Sequence, residues 1–145
     1  MSVCTLCPRR CGVDRGVKTG FCGMGESPRL ARAALHFWEE PCISGARGSG
    51  TVFFSGCTLR CVFCQNYEIS HLGQGKEITV RRLADIFKVL EEQGAHNINL
   101  VTATPFTYAV LDALSLYRPN IPIVWNTGGY ESVDTLKLLE GAVDI

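Results

Sequence analysis

After about residue 50, apolar residues alternate between short β-type runs and longer stretches with helical spacing. The run 51–55 (Thr-Val-Phe-Phe-Ser) is β-branched and aromatic and lies between two glycines, which predicts a buried strand. Similar runs at 97–102 and 121–125 predict a second and a third strand. Because strands alternate with helices, the pattern favours an α/β fold with parallel strands.

Three stretches between and after these strands repeat their apolar residues at helical spacing. Each begins at a serine or threonine, which are favoured N-cap residues, and each ends at a glycine or before a proline. The predicted helices run from Thr79 to Gly94, from Thr104 to Pro119 and from Ser132 to Gly141.

A short apolar run at 142–145 (Ala-Val-Asp-Ile) predicts the beginning of a fourth strand. Since a parallel strand needs neighbours and covering helices, we expect a longer domain that is truncated at this point. Residues 49–145 would then be its N-terminal part, with about three βα units. Residues 1–48 are expected to form a Cys-rich, metal-binding segment.

The overall charge gives no indication of a charged partner. Lys plus Arg and Asp plus Glu number 14 each, so nucleic acid is not a favoured ligand. No apolar stretch approaches the roughly 20 residues that span a bilayer, and the N-terminus lacks a signal-peptide pattern. We expect a cytoplasmic protein without a membrane partner. The eight cysteines then favour metal binding over disulfides.

Three of the cysteines, Cys57, Cys61 and Cys64, follow the first predicted strand directly. Clustered thiolates select iron–sulfur clusters, zinc or copper(I). A four-iron cluster normally takes four cysteines, so three would leave one iron open for chemistry. Alternatively, the spacing would place the three on one face of a helix as small buried residues. Gly56 and the preceding strand favour a loop, and therefore a metal site.

Four other cysteines lie near the N-terminus, at Cys4, Cys7, Cys11 and Cys22. This set suffices for a four-coordinate site, and structural zinc and an accessory iron–sulfur cluster both fit it. Nearby basic residues are interpreted as a solvated face that also neutralises thiolate charge. For Cys42, which stands alone, packing as a small apolar residue is the expectation.

The spacing Cys57-x3-Cys61-x2-Cys64, with Phe63 before the last cysteine, resembles the signature of the radical S-adenosylmethionine (SAM) superfamily. The resemblance implies a four-iron, four-sulfur (4Fe–4S) cluster on the three cysteines. SAM would chelate the fourth iron through its amino and carboxylate groups, and Phe63 would lie against the adenine. Reductive cleavage would then give a 5′-deoxyadenosyl radical.

Two further segments fit the same site, because parallel α/β folds bind ligands beyond the carboxyl ends of their strands. Thr102-Ala103-Thr104 stands where relatives usually carry a glycine-glycine-glutamate motif, so the SAM contact would fall to Thr102, Thr104 or the backbone. Asn126-Thr127-Gly128 is similar to a threonine-asparagine-glycine turn of activating enzymes. Its alternative is a polar loop whose glycines supply turn geometry.

Motifs along the whole chain are similar to a pyruvate formate-lyase activating enzyme-related group of radical SAM proteins. The group implies a partial (β/α)6 barrel about twice this length, an electron donor such as flavodoxin or ferredoxin, and a glycyl-radical enzyme as substrate. A small-molecule or RNA substrate, and a non-catalytic electron-transfer or zinc module, are the alternatives. The motifs are Cys4-Thr-Leu-Cys7-Pro-Arg-Arg-Cys11, Glu39-Glu-Pro-Cys-Ile-Ser-Gly45, Cys64-Gln-Asn66 and Gly94-Ala-His-Asn-Ile-Asn-Leu100.

Overall fold

A computed structural model describes residues 3–145 as a five-stranded sheet with helices. The strands are β1 (Arg29–His36), β2 (Ser49–Phe54), β3 (Lys76–Glu77), β4 (Ile98–Val101) and β5 (Ile123–Asn126). The helices are α1 (Pro41–Ser44), α2 (Tyr67–Ser70), α3 (Val80–Glu92), α4 (Thr107–Leu116) and α5 (Val133–Leu139), and a 3-10 turn spans Thr104–Phe106.

The strand order is β3-β1-β2-β4-β5, and β2, β4 and β5 run parallel. These are the three strands predicted from the sequence, each followed by a predicted helix, so the α/β class is confirmed. The sheet is mixed, however, because β1 lies antiparallel between β2 and β3. Neither β1 nor β3 was predicted, since β1 contains two arginines and β3 has only two residues.

The predicted fourth strand at 142–145 is not formed. These residues nevertheless lie beside β5, because the Asp144 backbone N–H donates to the Ile123 carbonyl at 2.9 Å and the Trp125 N–H donates to the Ile145 carbonyl at 2.8 Å. The backbone donors on this side of β5 are therefore satisfied without a regular strand.

The core lies between one face of the parallel strands and helices α3 and α4. Alternate residues of each strand point to this face, as strand geometry requires. Full burial of such side chains contributes about 1.5–3 kcal/mol each. The fully buried members include Val52, Ile98, Leu100 and Ile123 from the strands, and Leu83, Phe87 and Val110 from the helices.

Two of the three predicted N-caps are confirmed. The Thr79 hydroxyl accepts from the Arg82 backbone N–H at 3.1 Å, and the Ser132 hydroxyl accepts from the Thr135 N–H at 3.2 Å. The prediction for Thr104 is wrong, since this residue lies inside the 3-10 turn. Its hydroxyl donates instead to a carboxylate 27 residues away along the chain.

Residues 3–28, which we call the N-terminal cap, contain no helix or regular strand; a single bridge pairs Val3 with Asp14. The cap crosses the carboxyl ends of the parallel strands. The Leu6 carbonyl accepts from the Ser132 N–H at 3.1 Å and from the Thr135 hydroxyl at 2.8 Å. The cap is therefore held to the start of α5 as well as to β1, which continues from it.

Within residues 3–145, no helix has the length and apolarity needed to cross a membrane.

One polar pair joins the end of α3 to the segment after α4. The Tyr117 hydroxyl donates to Glu91, whose other oxygen accepts from the Asn120 backbone N–H at 2.8 Å. The bond from Tyr117 lowers the pKa of Glu91 from its ordinary value of 4.5. The same bond raises the pKa of Tyr117 to about 12.

This pair predicts a pH-dependent effect of Tyr117→Phe. The substitution should lower the free energy of unfolding by its full amount between pH 4.5 and pH 10. In this range Glu91 is ionised and Tyr117 is neutral in the unfolded chain, as they are in the folded chain. The loss should shrink as the pH falls through the lowered pKa of Glu91, or rises through about 12. Urea denaturation over this range measures it. Tyr108→Phe, at a tyrosine that is 58% exposed on α4, is the control. An effect that is independent of pH would contradict the role of the pair.

Candidate functional site

The carboxyl ends of the three parallel strands lie side by side. Phe53, Val101 and Asn126 are register partners near the ends of β2, β4 and β5. β2 is followed by the triad loop (57–64) and β4 by the segment 102–105, while β5 ends in the turn 126–129. A Cβ added to Gly128 would lie 3.0 Å from the Leu59 side chain, so the turn and the triad loop are in contact. The three predicted segments are therefore neighbours.

The triad loop carries three half-buried free thiols, Cys57, Cys61 and Cys64. It contains no helix, so the alternative of a shared helical face is wrong. The Cys64 backbone N–H donates to the Cys61 carbonyl at 3.2 Å, and Arg60 adopts a left-handed conformation with φ of 56°. Three thiols on one accessible loop provide the soft donor set that an iron–sulfur cluster requires.

Cys64 has a polar neighbour that sequence reasoning missed. The hydroxyl of Ser70, a buried residue at the end of α2, lies 3.2 Å from the Cys64 sulfur as a donor. The same hydroxyl lies 2.8 Å from His71 Nδ1, and the His71 ring stacks on Tyr67 at 4.4 Å between centroids. Because α2 packs under the loop, it provides a fixed hydrogen-bond donor to one thiol.

Phe63 and its neighbour Val62 project away from the core and are 85% and 93% exposed. Packing in the core, the ordinary reason for an aromatic residue in such a loop, is therefore wrong for Phe63. Its ring is available to a ligand or to another surface.

Thr102 has the least common backbone conformation at the site, with φ of 60°. For a β-branched residue this left-handed conformation is a strained outlier. The Thr102 N–H donates to the Asn126 carbonyl at 2.9 Å, which helps to hold it. Of the segment 102–104, Thr102 is half-buried while Ala103 and Thr104 are buried. Thr102 and Asn126 therefore offer partly accessible polar groups at the strand ends.

Glu131 is a buried carboxylate, 9% exposed, that sequence reasoning missed. Its Oε1 accepts from the Thr104 and Thr127 hydroxyls, both at 2.5 Å, and from the Trp125 indole N–H at 3.3 Å. One oxygen thus joins the segment after β4 to the turn after β5. The only sequence signal was an acidic residue directly before the N-cap of α5.

The N-terminal cap holds the triad loop through Arg9. Its Nε donates to the Thr58 carbonyl at 2.8 Å, and its guanidinium lies 3.6 Å from the centre of the Phe21 ring. Arg60 of the loop donates back to the Phe21 carbonyl at 3.3 Å. These contacts fix the position of the loop backbone relative to the cap.

Gly56, which precedes the triad, packs directly beneath the cap. Its φ is +76°, and a Cβ at this position would lie 2.3 Å from Met24 Cγ and 2.8 Å from the Cys22 carbonyl oxygen. Glycine is therefore required both by the backbone conformation and by the space.

The four N-terminal cysteines, Cys4, Cys7, Cys11 and Cys22, line one small cavity in the cap. Cys7 and Cys22 are buried, Cys4 is half-buried and Cys11 is exposed. Cys42 is exposed on α1, so the expectation that it packs in the interior is wrong.

The electrostatic environment differs among these thiols. Burial raises the pKa of Cys4 and of Cys22, and the positive charge of Arg15 partly opposes the effect in both. A hydrogen bond from the Phe21 backbone lowers the pKa of Cys11, which also shares a hydrogen bond with Cys4.

Across residues 3–145, no three His, Cys, Asp or Glu side chains already stand in the geometry of a metal site.

The fold and the loop define an α/β protein with three thiols at the carboxyl ends of parallel strands. A family model described as the radical SAM superfamily matches residues 51–145. The chain belongs to the radical SAM superfamily. It is also similar to an uncharacterized protein of Methanocaldococcus jannaschii, with 36% identity over 151 residues. The match covers 98% of this chain and 43% of that protein, so the chain spans less than half of its relative's length. No solved structure is matched.

The packing of Gly56 predicts an unusually costly Gly56→Ala substitution. Gly94→Ala is the matched control, since Gly94 also has a positive φ but nothing within 4 Å of an added Cβ. Both variants should lose roughly 1 kcal/mol to the left-handed conformation. Only Gly56→Ala should lose about 1–3 kcal/mol more by displacing the cap. Urea denaturation followed by circular dichroism measures both. Equal losses would show that the cap does not pack on the triad loop.

The bonds to Glu131 predict a graded loss of stability. Glu131→Ala leaves three donors without their acceptor and should lower the free energy of unfolding by about 3 kcal/mol. Glu131→Gln retains an acceptor oxygen and should lose less. Glu140→Ala, at an exposed glutamate after α5, should change the free energy of unfolding by less than about 0.5 kcal/mol. Chemical denaturation compares the three variants, and a neutral Glu131→Ala would rule out the role of this carboxylate.

Proposed function

We propose that this chain is the SAM-binding and cluster-binding part of an enzyme that reductively cleaves SAM. The observation that carries the proposal is the position of the triad loop, at the end of β2 and beside the ends of β4 and β5. Ligands of parallel α/β sheets bind at this edge, where loops and helix N-termini converge. Membership of the radical SAM superfamily supports the same chemistry.

Cys57, Cys61 and Cys64 would hold a 4Fe–4S cluster in this proposal. When bound, such a cluster supplies one electron to SAM, whose carbon–sulfur bond then breaks to give a 5′-deoxyadenosyl radical. The protein's part is to hold the three thiolates, to keep one iron free of protein ligands and to exclude water. The attachment of the loop to the N-terminal cap through Arg9 and Gly56 serves the first of these tasks.

Thr102, Asn126, Thr127 and Gly128 would bind SAM. Thr102 and Asn126 lie at the ends of the two strands beside the triad, and neither is fully buried. Phe63, with its ring exposed, would lie against the adenine.

Ala103 and Thr104 would act indirectly, because both are buried. The Thr104 hydroxyl is engaged by Glu131, which also binds Thr127 of the adjacent turn. This bond keeps the two SAM-binding segments at a fixed separation. Thr104 and Glu131 are therefore positioning residues.

Ser70 would tune the redox potential of the cluster. Hydrogen bonds to cluster sulfurs are one of the factors that set iron–sulfur potentials. The Ser70 hydroxyl, at 3.2 Å from the Cys64 sulfur, is such a donor.

For the substrate, we propose a glycine Cα of a partner glycyl-radical enzyme, with flavodoxin or ferredoxin as electron donor. This rests on the similarity of the sequence motifs to the pyruvate formate-lyase activating enzyme-related group. Eight free thiols and an iron–sulfur cluster favour a reducing compartment, which supports the cytoplasm as location.

Low-temperature EPR on anaerobically reconstituted, reduced protein tests the proposal. The wild type should give a four-iron signal that changes when SAM is added, because SAM binds the open iron. Cys61→Ala should lose this SAM-sensitive signal, and Cys42→Ser, at an exposed cysteine outside both thiol sets, should retain it. Chromatography of the same samples should detect 5′-deoxyadenosine only where the signal responds to SAM.

Two outcomes would contradict the proposal. A four-iron signal that is indifferent to SAM would favour an electron-transfer module. The absence of iron from the triad in every reconstituted sample would favour a zinc-binding module.

A further inference from the structure

The four N-terminal cysteines line a single cavity that contains none of the triad cysteines. The cavity has a volume of about 10 Å³ and is lined by Cys4, Cys7, Cys11 and Cys22 together with Arg9 and Arg15. A Cβ on Gly20 would lie 3.4 Å from the sulfurs of both Cys11 and Cys22, so these two thiols flank the same point.

We propose that these four cysteines bind one thiophilic metal ion of the zinc type, and that this ion holds the N-terminal cap over the triad loop. Four thiolates form the closed, tetrahedral ligand set of structural zinc sites, which leave no position for a substrate. This site is independent of SAM chemistry and lies outside the residues matched by the superfamily model.

The small size of the cavity favours a single ion over an accessory cluster. A volume of about 10 Å³ is close to the least that holds one water molecule. A 4Fe–4S cluster brings eight atoms and would have to push the cap apart. Buried Cys7 and Cys22 form the inner side, and exposed Cys11 forms the side from which an ion enters.

The charges around the cavity match a four-thiolate site. Four thiolates around a divalent ion leave a double negative charge, and a buried charge needs compensation. Arg9 and Arg15 supply two guanidinium groups at the same cavity. Arg15 is fixed there by bonds to carbonyl groups of the cap and of Pro105.

The same two arginines connect the cavity to the candidate site. Arg9 donates to the Thr58 carbonyl of the triad loop at 2.8 Å, and Arg15 donates to the Pro105 carbonyl of the segment after β4. Each arginine therefore lines the cysteine cavity and also binds the backbone of a segment of the candidate site. A metal that fixes the thiols also fixes these two contacts.

Metal analysis of the full chain tests the binding. A variant with the triad changed to serine, Cys57→Ser, Cys61→Ser and Cys64→Ser, should retain about one zinc per chain without iron. Cys11→Ser in the same background should lose this zinc, and Cys42→Ser should keep it. X-ray absorption at the zinc edge should show four sulfurs at about 2.3 Å. Iron in the triad variant, the absence of metal, or a nitrogen and oxygen shell would each overturn the proposal.

Hydrogen–deuterium exchange of the triad variant tests whether the bound metal holds the N-terminal cap over the triad loop. Removal of zinc by a chelator should speed exchange in residues 56–64 by about tenfold and leave α3 unchanged. Cys42→Ser should behave in the same way as its parent, because Cys42 is a ligand of neither site. Unchanged exchange in 56–64, or equal acceleration in every segment, would overturn the positioning role. Neither the metal analysis nor the hydrogen–deuterium exchange depends on SAM. Failure of the proposed zinc site can therefore be distinguished from failure of the proposed function.

Discussion

The contact between the N-terminal cap and the triad loop is the interaction on which the candidate site depends. The loop itself has no helix or strand, and Arg60 within it adopts a left-handed conformation. A loop of this kind keeps a single shape only where its surroundings determine it. Here the surroundings are Met24 and Cys22, packed on Gly56, and Arg9, bound to the loop backbone. The two cysteine clusters are therefore mechanically connected.

A second constraint acts on the neighbouring strand ends. One oxygen of Glu131 accepts three hydrogen bonds, which fix the segment after β4 against the turn after β5. Thr102 keeps its strained conformation between these fixed points. Glycine would adopt that conformation without strain.

The sequence predicted the elements whose signals are local. The three parallel strands are short segments rich in β-branched and other apolar residues, and the caps at Thr79 and Ser132 bond within three residues. The triad was proposed as a metal site from its spacing after a strand, and the strand before it is confirmed. Features that depend on distant partners were missed: β1 pairs although Arg32 interrupts its apolar pattern, and the bonds to Glu131 come in part from 27 residues away. The conformation of Thr102 has no signature in the residue itself.

The contacts of the N-terminal cap also have a kinetic consequence. Arg9 binds a residue 49 positions later, Arg15 one 90 positions later, and Leu6 one 129 positions later. Contacts between residues so far apart in the sequence form late, because a long loop must close before they can form. During synthesis the first cysteines emerge long before the start of α5, which holds the cap through Leu6, has been made. The thiols of the cap thus pass through a long interval in which they are undocked and open to oxidation or to premature metal capture.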